Sequence, residues 1–219
     1  MGQWCNNKFD LDRDYHFTND IKKEDYLKIS ISSSSFSNLN KAGNIVFQNQ
    51  QSTNPLDICE AFFYFKIKII DLAANEDITL ENNFFARLFA EMTLKVGTSN
   101  VENIANPGET STMLNFVLTD NSYKTQWGTS SGWVPDVNTG DITDKNPSYG
   151  MRKKLYNTGF EWKFPLRNLF GFLQCYNRVI FLIPIEFTLN RVINNEKVFY
   201  GAANTAAKIE FELLELWIP

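Results

Sequence analysis

Histidine is the usual general base and the commonest transition-metal ligand, and this chain has one, His16. A Ser-His-Asp triad needs that imidazole between a nucleophile and a carboxylate. A metal site of the kind seen on β-sandwiches needs several imidazoles. His16 stands instead in a densely charged leading segment. Cys5, Cys59 and Cys175 are widely spaced and form no CxxC pair, so a zinc site is not expected. An odd number of scattered cysteines reads as reduced thiols in an intracellular setting, not as a disulfide framework. Asp10, Asp12 and Asp14 alternate as in a calcium loop. The loop glycine and the closing Glu are absent and Tyr15 follows, so these acids, with Asp20, read as a solvated segment. Gly108-Glu109-Thr110-Ser111-Thr112 could offer free amides to an anion. No Lys or Arg accompanies them and Glu109 repels phosphate, so a helix cap is the better reading. The expectation is a protein with no catalytic residue, no metal ligand set and no cofactor.

One group of residues remains that could recognise something. Tyr123, Trp127, Trp133 and Tyr149 lie in or beside a stretch, 120–150, rich in Gly, Ser, Asn, Asp and Pro. A connection that long inside a compact domain is usually functional or disordered, and the tryptophans argue against pure disorder. The four rings could form a platform for a sugar or a protein partner, or could anchor the loop to the body of the fold. Both readings stand at this level.

The elements that must carry this loop are mostly strands. The chain has 219 residues, 43% hydrophobic and 21% charged, with 19 Phe and a net charge of −4. That is ordinary globular composition with an aromatic core. No basic stripe is present, which disfavours direct nucleic-acid binding, and no apolar run is long enough for a transmembrane helix. Met1-Gly2 is followed by Asn6 where an N-myristoylation signal wants Ser or Thr, so it reads as an ordinary start. Alternation predicts strands at Tyr26–Ser35, Ile45–Gln48, Ala61–Ile70, Glu91–Val96, Val101–Ile104, Lys197–Tyr200 and Lys208–Ile218, with a bulge at Leu213-Leu214. Helical spacing at Phe84, Phe85, Leu88 and Phe89, with Asn82 or Asn83 as N-cap, predicts a short helix. A second is expected at Glu109–Leu118 on Met113, Leu114, Val117 and Leu118, and a third after Pro165 on Leu166, Leu169, Phe170 and Leu173. Met151–Leu166 reads as extended. The longest strand is expected from Arg178 to Val192. Its upstream half is apolar on both faces and should be buried on both. Downstream, Ile185, Phe187 and Leu189 point inward, and Pro184 marks a bulge or local edge. About eight strands with two or three short helices in the connections predict an all-β antiparallel sandwich of jelly-roll type. Residues 1–25 read as an arm and 26–219 as one domain.

Several of these stretches, taken in order, resemble one family. Asn82-Asn83, Leu88-Phe89, the strand closing at Gly97, Asn106-Pro107-Gly108 and Ser111-Thr112 resemble the core of double-jelly-roll capsid proteins of Polinton- and adintovirus-like elements. Phe164-Pro165-Leu166, Leu169-Phe170-Gly171-Phe172, Tyr176, the strand from Arg178 and the closing Glu212–Pro219 are similar to later segments of the same family. The resemblance implies a hexon-type structural subunit without catalytic residues. Its partners would be copies of itself, as a homotrimer or larger shell, with a second jelly-roll chain or a penton-type protein as further candidates. It implies a place in a virion, or in host cytoplasm or nucleus for a genome-integrated copy. The chain departs from the pattern at Leu173-Gln174-Cys175, where the family carries an acid. It also ends at Trp217-Ile218-Pro219, where the family runs on into a second jelly roll. The expectation is therefore a first jelly roll alone, as a fragment, a split gene or a retained copy. The alternative is a carbohydrate- or protein-binding jelly roll using the 120–150 loop.

Overall fold

Apolar alternation on most strands leaves each sheet with one face to bury, and two sheets solve that by packing face to face. In the computed structural model, which describes residues 24–50, 53–72, 78–118, 128–134, 146–192, 197–201 and 206–219, they do so. The strands are β1 Leu27–Ser30, β2 Gly43–Asn49, β3 Phe62–Ile70, β4 Ile78–Leu80, β5 Phe89–Val96, β6 Ser99–Ala105, β7 Glu161–Pro165, β8 Ile185–Arg191, β9 Phe199–Gly201 and β10 Lys208–Ile218. One four-stranded sheet runs β1-β10-β3-β7 and the other β2-β8-β5-β6, with every neighbouring pair antiparallel. The chain crosses between the sheets at nearly every step, which is jelly-roll topology. β4 and β9 form a separate two-stranded pair.

The core follows from the alternation. Phe63, Phe65 and Ile67 of β3, Phe211 and Leu216 of β10, and Trp162 and Phe164 of β7 face Phe47, Met92, Leu94, Phe187 and Leu189 of the other sheet. Phe85 enters between them and stacks on Phe65 with ring centroids 4.4 Å apart. On the outer face of the first sheet Glu215 is buried and neutralised, with Lys28 at 2.6 Å and Trp217 Nε1 donating at 3.0 Å.

Four α-helical segments occur among the described residues: α1 Phe84–Arg87, α2 Pro107–Leu118, α3 Pro147–Asn157 and α4 Gly171–Cys175. Sequence reading expected two or three, and α3 is the addition. Its residues from Met151 on were expected to be extended, as far as Leu166, yet only Glu161–Pro165 is. Weak apolar periodicity hid the helix. Its legible signal was Pro147 in the first turn after Asn146, whose side chain accepts from Ser148 N–H at 3.0 Å.

The long strand from Arg178 is also corrected. Apart from an isolated bridge between Leu56 and the buried Ile180, pairing begins only at Ile185, and Val179, Phe181, Leu182 and Ile183 are exposed, not buried on both sides. Pro184 precedes the strand instead of interrupting it, since a residue without N–H cannot continue the ladder. Asn83 stands where an N-cap would, but its side chain does not cap α1. The β10 register shift lies between Phe211 and Leu213, one step before the expected bulge. Asn40 closes it, accepting from Phe211 N–H at 2.8 Å and donating to Phe211 C=O at 3.2 Å. Asn194-Asn195, which reads in the sequence as a hairpin turn, lies outside the described residues.

Candidate functional site

α2 is built inside out. A helix on a β-sandwich normally turns its apolar stripe inward. Here the buried positions are Pro107, Gly108, Ser111 and Asn115. Met113, Phe116 and Val117 are 71%, 62% and 82% exposed. The polar face docks on Asn83, which is fully enclosed in the left-handed region at φ 58°, a conformation that Asn tolerates better than most residues. Asn83 Nδ2 donates toward Ser111 Oγ at 3.4 Å and Thr112 Oγ1 at 3.5 Å, and its Oδ1 accepts from Asn115 Nδ2 at 3.2 Å. Gly108 is obligatory here: a Cβ would come within 2.8 Å of the Arg87 Cα. Asn82 holds the neighbouring loop, its Oδ1 accepting from Val134 N–H at 2.8 Å, while Arg152 Nη1 donates to Val134 C=O at 2.6 Å.

Asn82-Asn83, Gly108 and Ser111-Thr112, separate fragments along the sequence, thus meet in one buried polar hub. Its role is to fix a helix whose outer side is apolar. The helix expected from its apolar residues is present, but Met113 and Val117 face water and not the core. The reason is that the hub satisfies buried polar groups with one another, which frees the apolar side for contact elsewhere.

A second apolar surface lies in the β7–β8 connection. Leu56 and Ile180 exchange two backbone hydrogen bonds of 2.8 Å, and Gly97 N–H donates to Pro184 C=O at 2.8 Å. Val179 just before these pins, and Phe181, Leu182 and Ile183 between them, stand exposed, with Leu182 at φ 56°. A bulky residue held in the left-handed region costs energy, so this ridge is a constrained feature and not a loose coil. Contiguous exposed apolar side chains on a folded domain mark interaction surfaces.

The aromatic loop fares differently. Trp133 and Tyr149 are enclosed, and Trp133 packs edge-on against Phe116 at 5.0 Å between centroids. Both rings are closed off from solvent in this structure. Tyr123 and Trp127 lie outside the described residues, as do His16, Cys5 and the acids of 10–20. Among the described residues no three His, Cys, Asp or Glu side chains gather where they could hold a metal. No helix among them is long and apolar enough to cross a membrane.

Two polar details give local tests. Glu102 of β6 accepts from the N–H groups of Gly171 at 3.0 Å and Phe172 at 2.8 Å, tying α4 to the sheet. Glu102→Ala removes charge-assisted bonds to two amides at a helix start, and should cost about 1–3 kcal/mol in urea denaturation. Cys59 donates its thiol hydrogen to Tyr176 C=O. Burial, with Asp57 and Glu60 nearby, pushes that thiol up to about 11. At pH 8 only roughly one Cys59 in a thousand is then a thiolate, whereas Cys175 is exposed. In a Cys5→Ser background, a chromogenic disulfide reagent at pH 8 should titrate Cys175 promptly and leave Cys59 until the protein unfolds. Two prompt thiols would contradict this.

The sequence matches a known family over residues 78–219, from β4 to the end of β10: the double jelly roll-like domain. The chain belongs to that family. Among solved structures it is similar to the PBCV-1 VP54 structure fitted into a reconstruction of the virophage Sputnik. The identity is 11% and the TM-score 0.49, over 89% of this chain and 40% of that one. It is also similar to the mavirus major capsid protein, at 9% identity and TM-score 0.41, over 100% of this chain and 50% of that one. The chain therefore spans half or less of the solved chains it matches. No curated sequence relative matches it. The family match includes the asparagine hub, α2 and the exposed ridge, so all three belong to its matched region.

Proposed function

We propose that this protein is a capsid-like structural subunit whose jelly roll, residues 26–219, associates with copies of itself in a shell. The single observation that carries the reading is the inverted α2, which hides its polar side and presents Met113, Phe116 and Val117. The resemblance of Asn82-Asn83, Asn106-Pro107-Gly108 and Ser111-Thr112 to shell proteins supports it, as does membership of the double jelly roll-like domain family. Shell building needs rigid walls and repeated lateral contacts, and no bond-breaking centre. The sandwich supplies the walls, and α2 and the 179–183 ridge supply apolar surface that one isolated copy leaves in water. In a closed assembly, each such patch has to meet a complementary patch on a neighbour.

The test is sedimentation velocity and negative-stain electron microscopy over a range of protein concentration, at low and physiological salt. The expected result is concentration-dependent association, through a trimer, that persists in salt because apolar burial drives it. A strictly monomeric protein up to several hundred micromolar would sink the reading.

A further inference from the structure

The inner face of β8 ends on a charge. Ile185, Phe187 and Leu189 point between the sheets, and a period of two carries Arg191 to the same face, where it is 4% exposed. Its guanidinium carbon lies 4.9 Å from the Phe211 ring centroid and 6.0 Å from that of Phe89. Nη2 donates to Ile209 C=O at 2.8 Å, while Nη1 is enclosed and meets no acceptor among the described residues. Burial lowers its pKa to about 10, with no acid offsetting the shift, so it stays charged at neutral pH. A buried cation without a carboxylate is unfavourable unless something else compensates it.

Arg191 also lines a pocket of about 50 Å³, together with Asn40, Lys41, Lys208 and Glu210. That is several times the roughly 10–15 Å³ that one water needs. Among the described residues the charges around it do not balance. Glu210 is paired with Lys68 at 3.2 Å and Lys208 with Asp71 at 3.0 Å. Asn40 is committed to the β10 bulge. Among the described residues Lys41 has no ion partner, and Arg191 meets only a carbonyl and two ring faces. Both excess positive charges therefore adjoin the same small concavity.

We propose that this pocket binds one small tetrahedral oxyanion, of the phosphate class, between Arg191 and Lys41, with Lys208, already paired to Asp71, at its rim. A guanidinium presents a planar fork of donors suited to such an anion, and lysines add mobile point charges. The site adjoins the Arg191 end of β8, whereas the apolar ridge precedes Ile185 at the other end. The inference is therefore independent of self-association, and either can fail alone.

The experiment titrates the full chain with inorganic phosphate against sodium chloride of equal ionic strength, following heat by calorimetry and Tm by circular dichroism. The expected result is saturable one-to-one phosphate binding and a Tm that rises with phosphate beyond the chloride control. Lys41→Met with Lys208→Met alters two exposed side chains and should fold as the parent does, while weakening phosphate binding at least roughly tenfold. Arg191→Met should abolish the phosphate response. Equal Tm shifts in phosphate and chloride, or parental phosphate affinity in the double lysine variant, would overturn the proposal.

Discussion

A chain carrying Met113→Lys and Val117→Lys will fold with parental stability and fail to associate. Both residues lie on the solvent side of α2 and are among the most exposed apolar side chains of the described structure. Lys is a good helix former, so α2 itself is not weakened. Surface changes of this kind usually move stability by less than about 0.5 kcal/mol. In an interface the same positions become a desolvated apolar anchor, and two added charges have no partner there. Residues of this type often cost 1–2 kcal/mol each in binding, so association should weaken by about a hundredfold or more. Sedimentation velocity beside urea denaturation separates the two effects. Phe116 is left in place because its ring covers Trp133, and removing it would mix folding with assembly. If the double variant associates as the parent does, α2 is not the contact surface. The ridge at 179–183 then becomes the next candidate.

Asn83→Ala should unfold the protein at a markedly lower denaturant concentration, with a loss of about 2–4 kcal/mol. One part is the hub: Ser111, Thr112 and Asn115 each lose a partner inside a closed space, and a buried polar group left unsatisfied costs about 1–3 kcal/mol. The other part is the backbone, since at φ 58° the polar side chain of Asn is better tolerated than the methyl of Ala. Asn83→Gly removes the same hydrogen bonds without that strain. It should recover part of the loss, offset by the greater freedom of glycine in the unfolded chain. A measured loss below about 0.5 kcal/mol for Asn83→Ala would mean the hub is not what docks α2. A further consequence links the hub to the proposed function: with α2 loosened, self-association should weaken even at temperatures where the sandwich remains folded.

Much of the architecture was legible. Alternation in AFFYFKIKII, in IEFTLN and in KIEFELLELWI assigned inward and outward faces that the packed sheets reproduce at Phe63, Phe65, Phe187, Phe211 and others. The switch from helical to strand period near Phe89 was readable too, because the two periods differ so strongly. The site was legible only in pieces. Asn82-Asn83 and Ser111-Thr112 stood out as motif residues, but nothing in their spacing says that they meet. That depends on the chain turning back after β6 and on Gly108 allowing α2 close against Arg87.

What the sequence determined by itself was the class of fold and the inward faces of the paired strands. These follow from local periodicity and from which side chains are available. What only the tertiary structure decided was which apolar residues stay outside. VIFLI at 179–183 is as apolar as any core strand, yet all of it but Ile180 is exposed, because beyond that residue's single bridge to Leu56 pairing partners exist only from Ile185 onward. Met113 and Val117 are apolar on a helix, yet they face water, because a polar hub already fills the space beneath. Hydropathy reports a side chain's preference for leaving water. Whether a neighbour in the same chain takes it up depends on where the other strands and helices come to lie.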